Sequence, residues 1–266
     1  MTAEHSFFKR YIGINYSGAK SPSCNLRSLR IFLSDHNSGP DEMIRALNLK
    51  PWNRRDLAEV MIDFLLEDNP EDSPTLIGIN HGFSFPMRYF EAHHLEPDWP
   101  NFLADFRKHW PADEDDIYID DILLETLGNA AARSGNTDWR RLTEERVGAG
   151  SAFDFDAPGS VAKRTHAGLP WLLHIRDLTG GEVHFWPFDG WDIPAGRSAI
   201  VETWPALWNK RFPRGDRTAE EQNAYTISAW LRQTDLAGEL PKFLKPSLLP
   251  GERTVAEIEG WMFGVM

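Results

Sequence analysis

Side chains alternate over Tyr11–Asn15, Thr75–Asn80 is a short apolar run, and each stops on an asparagine just before a turn containing Gly and Ser. Both patterns predict a strand. Leu29–Leu33 is another short apolar run, joined to the first by a polar Ser/Pro/Asn loop, as in a hairpin. Over Asn53–Glu67 the period lengthens: Leu57, Val60, Phe64 and Leu65 share one face, and Asn53 is placed to cap a helix with Asp56 in its first turn. A strand directly after that helix suggests a parallel crossover. Ala199–Thr203 predicts a further strand, ended by Trp204-Pro205. Thr218–Gln233 predicts a helix opened by a capping box of Thr218 and Glu221. Between roughly 86 and 136 the pattern is helical and irregular. There Trp99, Phe102, Phe106 and Trp110 recur at helical spacing and predict core packing. Trp171–Ile175 and Val183–Trp186 fit either strand or helix. The expected fold class is α/β: one domain over 1–266, with a helical insertion at 86–136 and a C-terminal extension at 237–266.

Composition narrows the class. Hydrophobic residues make up 41% and charged residues 26% of 266 positions, ordinary for a globular chain. Eleven Trp and 16 Phe predict a core rich in rings. No apolar run reaches the length of a membrane span, and the first residues lack the layout of a secretory signal. Cys24 is the single cysteine, which excludes an internal disulfide and a cysteine-based metal knuckle. The expected setting is therefore the cytoplasm, with no membrane partner. A net charge of −12 argues against a broad surface for nucleic-acid phosphates. The charge is uneven, however. Asp113–Asp121 is an acidic block, expected to be a solvated helix face. Arg140, Arg141 and Arg146, then Lys163 and Arg164, then Lys210, Arg211, Arg214 and Arg217 are basic clusters that leave room for a basic groove.

The tetrapeptide Ile-Gly-Ile-Asn occurs twice, at Ile12–Asn15 and Ile77–Asn80. If the two strands are neighbours, both carboxamides aim at one point on the sheet edge. Glu202 lies within a predicted strand, and a buried carboxylate needs a partner or a cation. Asn223 shares a stripe with Ile227 and Trp230 near the start of a helix. Together Asn15, Asn80, Glu202 and Asn223 can converge where ligands favour an α/β sheet. An Asn at a strand end is also an ordinary turn former, so that alternative stays open. His166 and His174, near Lys163 and Arg164, could meet phosphate or act as general acids, or could be core or surface histidines. His93 and His94 lack a ligand partner at helical spacing, no phosphate-cradling Gly loop precedes a Lys-Ser/Thr pair, and no Gly-x-Ser-x-Gly elbow is present.

Several segments resemble a known family. They are Tyr11–Ala19 (YIGINYSGA), Gly78–Pro86 (GINHGFSFP), Thr143–Arg146 (TEER), His166–Trp171 (HAGLPW), Phe185–Gly190 (FWPFDG) and Val201–Ala206 (VETWPA). In combination, across about Tyr11 to Asp235, they resemble the bacterial domain-of-unknown-function 429 family of predicted ribonuclease H-like nucleases. The resemblance implies a mixed sheet of about five strands flanked by helices and an acidic site at the strand ends. There Mg or Mn would serve hydrolysis of a phosphodiester. Catalytic and metal positions would be Asn15, Asn80, Glu202 and Asn223. Arg146, Lys163, Arg164 and His166 would steady a nucleic-acid substrate. Glu202 agrees with the family pattern, whereas Asn15, Asn80 and Asn223 stand where it has Asp. Each exchange removes a charge and keeps the shape. The expectation is an inactive or weakened nuclease with no cofactor of its own. The alternative is a non-catalytic module binding nucleic acid, a nucleotide or a protein on the same fold.

Overall fold

A computed structural model describes residues 6–44, 50–66, 73–124, 127–157 and 159–266. Its centre is a mixed sheet, built from β1 (Arg10–Asn15), β2 (Arg30–Asp35), β3 (Asp41–Glu42), β4 (Thr75–Ile79), β5 (His184–Trp186) and β6 (Ala199–Glu202). The spatial order is β3-β2-β1-β4-β6-β5. The β1–β2–β3 half is an antiparallel meander, whereas β4, β6 and β5 run parallel to β1. Six strands stand where the resemblance implies about five. The sixth is β5, a three-residue edge strand whose sequence fitted strand or helix equally well.

The two Ile-Gly-Ile-Asn copies lie side by side in register: Ile12 opposite Ile77, Gly13 opposite Gly78, Ile14 opposite Ile79. One sheet face packs under α1 (Arg54–Leu65), α3 (Trp99–His109) and α6 (Ala162–Thr179), with Ile12, Ile14, Ile77 and Ile79 in that core. The other face lies under α7 (Ala219–Leu236), with Tyr11, Leu76, Ile227 and Trp230 in a second core. The alternation of β1 and β4 thus sends isoleucines one way and glycines the other. The glycines let α7 come close. A Cβ on Gly13 would sit 2.1 Å from the Ala224 carbonyl oxygen, and one on Gly78 would sit 2.5 Å from Ile227 Cγ2. Ser228 then donates to the Tyr11 carbonyl at 2.9 Å, fixing the helix on β1. Gly13→Ala is expected to cost at least about 2 kcal/mol, because neither backbone can yield. Gly251→Ala, whose new methyl meets nothing within 4 Å, should be near neutral by comparison. Urea denaturation midpoints check both; equal midpoints would show that α7 does not bear on β1 this closely.

Helix α1 is capped by Asn53, whose side chain accepts from the Asp56 N–H, as its sequence predicts. It ends at Leu65, and the predicted final residue Glu67 lies outside the described residues. The capping box of Thr218 and Glu221 opens α7. Trp171–Ile175 belongs to the 18-residue α6, in which Pro170 sits mid-helix. The 86–136 region holds α2 (Met87–Ala92), α3 and α4 (Ile119–Leu123), with α5 (Leu142–Val147) just beyond it, and Trp99, Phe102, Phe106 and Trp110 are all buried. The acidic block is not a helix face. Asp113 is buried against Arg107, the chain turns through Asp116, and only Ile119 onward is helical. The C-terminal extension from 237 packs onto the sheet. After α8 (Leu240–Leu244) and α9 (Pro250–Glu259), Trp261, Phe263 and Val265 enter the α7-side core, and Phe263 bridges to Thr203 beyond β6. No described helix is long and apolar enough to cross a membrane.

Candidate functional site

The parallel ends of β1, β4 and β6 point their last side chains at one spot. Asn80 Nδ2 donates to Asn15 Oδ1 at 2.7 Å, and Asn223 Nδ2, arriving from the second turn of α7, donates to the same oxygen at 3.0 Å. Backbone groups fix the orientation of these amides. The Ser28 carbonyl can only accept, so it faces Asn15 Nδ2 at 2.7 Å and leaves Oδ1 as the acceptor. The Tyr16 N–H can only donate, so Asn80 Oδ1 faces it at 2.6 Å. Asn223 Oδ1 accepts in turn from Asn209 Nδ2 at 3.0 Å. The chain of bonds ends at Asn209 Oδ1, which is buried without a partner.

Glu202, one strand away, is engaged differently. Its two oxygens accept from Arg141 Nη2 at 2.5 Å and Nη1 at 2.7 Å, and Oε2 also accepts from the Phe83 N–H at 3.0 Å. Arg141 holds Glu144 Oε1 through Nε at 2.9 Å and the Glu259 carbonyl through Nη1. Arg141 is 1% exposed and Glu202 3%. Burial opposes the guanidinium's charge, but Glu144 and Glu202 more than offset it and hold Arg141 above its usual range.

Mg and Mn require several free oxygens, mostly from carboxylates. At Asn15, Asn80, Asn223 and Glu202 each side-chain oxygen already accepts a hydrogen bond, and the only carboxylate is neutralised by Arg141. This donor set does not fit a divalent cation. Among the described residues no group of three or more His, Cys, Asp or Glu is placed to hold one.

Around these residues lies a cleft of about 350 Å³ lined by Asn80, Arg141, Glu202, Asn223 and Arg164, among others. A second cavity of about 210 Å³, with Asn15, Ser17, Lys163 and Arg164 in its wall, adjoins it across Ser160, Arg164 and Asn223. A third of about 300 Å³, lined by Lys210, Phe212 and Arg214, adjoins it across Asn209 and Asn223. Asn223 therefore stands at the junction of all three, with cations on both flanks.

The sequence-predicted substrate residues divide. Lys163 and Arg164, at the start of α6, reach the cavities, although Lys163 is exposed and bridges to Asp120. Arg146 is not brought there. It pairs with Glu252 and covers Trp261 on another part of the surface. His166 is 1% exposed and enclosed by Phe85, Phe106, Trp110, Phe153 and Phe155, away from the cleft lining. Its Nδ1 donates to the Ala162 carbonyl, Nε2 has no partner, and burial lowers its pKa to about 3. The basic neighbours of both residues suggested a shared surface, but helical rotation and packing send them elsewhere. His174, raised with His166 as a phosphate contact or general acid, lies further along α6 against Trp171, also outside the cleft lining. Arg141 carried no signal of its own, since an arginine in a charged run reads as solvated. Compared with known proteins, the chain matches no family model, no curated protein and no solved structure.

Proposed function

We propose that this chain is a ribonuclease H-like protein of the nuclease type whose cation-binding positions carry carboxamides. It holds a phosphodiester-bearing nucleic acid without cutting it through a metal. The observation that carries this is the meeting of Asn15, Asn80 and Asn223 at the ends of two parallel strands and one helix. The antiparallel β1–β2–β3 meander beside parallel strands supports the fold assignment. Carboxylates at these three positions would repel one another and call for a cation, whereas carboxamides bond to one another directly. The flanks of the cleft bear Lys163, Arg164, Lys210 and Arg214, cations suited to a phosphate backbone.

The test is the combined exchange Asn15→Asp, Asn80→Asp and Asn223→Asp, assayed on fluorescent single- and double-stranded oligonucleotides with Mg or Mn. The native chain is expected to bind the oligonucleotide, more weakly as salt rises, and to give no metal-dependent cleavage. The triple variant should be less stable in EDTA and recover stability as the metal is added. Metal-dependent cleavage by the native chain, abolished by Glu202→Gln, would refute the proposal.

A further inference from the structure

The inner cleft contains polar groups that nothing else among the described residues satisfies. Arg164 is partly buried and lines the cleft wall. Among the described residues its guanidinium bonds only to the carbonyls of Gly159 and Ser160. Among the described residues no carboxylate lies within ion-pair distance of it, and burial alone pushes its pKa down. A partly desolvated cation without an anion is costly. Arg164 also sits in the first turn of α6, a helix of 18 residues with no acidic side chain in that turn, so the positive end of the helix dipole adds to its charge. Thr203, 3% exposed, lines the same cleft, and its hydroxyl is buried without a partner. Asn209 Oδ1, where the carboxamide chain ends, is likewise unsatisfied.

The cleft also carries the opposite chemistry. Asp154 lines it too, and with Oδ1 accepting from the Ala157 N–H it keeps its second oxygen for a donor. Trp204 forms part of the wall. A simple anion would satisfy Arg164 and be repelled by Asp154. A ligand that carries both an anion and hydroxyl or amino donors satisfies both. With an aromatic face to stack on Trp204 as well, that description is a nucleotide, and about 350 Å³ is within the range of small-molecule pockets.

We infer that the inner cleft is a metal-independent pocket for a single nucleoside monophosphate, free or at the end of a strand. Arg164 and the α6 N-terminus take the phosphate, and Asp154, Thr203 and Asn209 take hydroxyl or amino groups. The inference rests on the reading that this cleft accepts phosphorylated ligands, and it adds that the unit recognised is one nucleotide.

The experiment is a calorimetric titration of the full chain in EDTA with adenosine and uridine 5′-monophosphates, and with adenosine as the uncharged control. A short single-stranded oligonucleotide is titrated in parallel. Saturable binding of a monophosphate without metal is expected, with adenosine much weaker. Arg164→Met should weaken it at least roughly tenfold, the size of a lost charge-assisted bond, and Thr203→Val by a smaller factor. Arg164→Lys keeps the charge without the fork and gives an intermediate loss, so it is read if the Met variant does not fold. No saturable binding of either monophosphate, binding only with Mg, or binding unchanged by either Arg164 variant overturns the inference. Oligonucleotide binding without monophosphate binding sinks the pocket and leaves the nucleic-acid proposal intact. Monophosphate binding without oligonucleotide binding does the reverse.

Discussion

Arg141→Met is expected to lower stability by about 3–5 kcal/mol, the usual cost of stripping one partner from a buried ion pair. The guanidinium is the only cation in ion-pair contact with either Glu144 or Glu202 among the described residues, and all three side chains are buried. Without it two carboxylates remain in a low-dielectric site, with only the Phe83 N–H on Glu202 and the Arg141 backbone N–H on Glu144. Adding Glu202→Gln to Arg141→Met should recover part of the loss, because one stranded charge disappears while the amide oxygen can still accept from Phe83. The four urea curves of this double-mutant cycle measure the coupling directly. Additivity within about 0.5 kcal/mol would show that the pair is not linked as described.

Acidification should unfold the protein before its carboxylates are fully protonated. Burial lowers the pKa of His81, His109, His166 and His184, and two of them furthest. His81 is lowered to about 4 and His166 to about 3. His81 donates from Nδ1 to the Gly82 carbonyl, and its ring lies over Gly168, where a Cβ would come within 2.5 Å of Nε2. A proton added to either ring would be an unpaired buried charge. In the unfolded chain both titrate near 6.5. Between that value and the folded values the unfolded state binds more protons, so stability is complete above about pH 6.5 and falls as pH drops. Fully developed, the two amount to roughly 3 and 5 kcal/mol, against a total of about 5–15 for a typical domain. Asp235 and Glu259, pushed up by burial, act in the opposite direction: they protonate earlier in the folded state and soften the fall. Urea midpoints measured from pH 7.5 to 4 should decline steadily, and His166→Phe should flatten the slope. A level profile over that range would mean that neither ring is sealed from water.

The parts of this arrangement legible in the sequence are those written in local periodicity. Two runs ending in the same tetrapeptide foretold two strands, though not that they would be neighbours, and the polar break in the apolar stripe of α7 marked Asn223. The caps Asn53 and Thr218 set both helix starts. Long-range partnership was not legible. Nothing near Arg141 in the chain announces that Glu202, 61 residues away, will take its guanidinium. Helix α6 was ambiguous because its middle, residues 165–173, is buried on every side and contains Pro170, so it presents no single stripe. Arg146 and Lys163 look alike as basic residues, but one stacks on Trp261 while the other reaches the cavity wall. Which solvent a side chain meets is decided by packing that one sequence does not display.

The one-way polarity of the carboxamide chain makes its members interdependent across evolution. Aspartate at 15 would still accept from Asn80 and Asn223, at the expense of an acceptor facing the Ser28 carbonyl. Aspartate at 80 or 223 alone would set an oxygen against Asn15 Oδ1. A lineage passing between charged and uncharged versions would therefore meet epistasis, with position 15 the easiest first step and the other two tolerable only once a cation is available to follow.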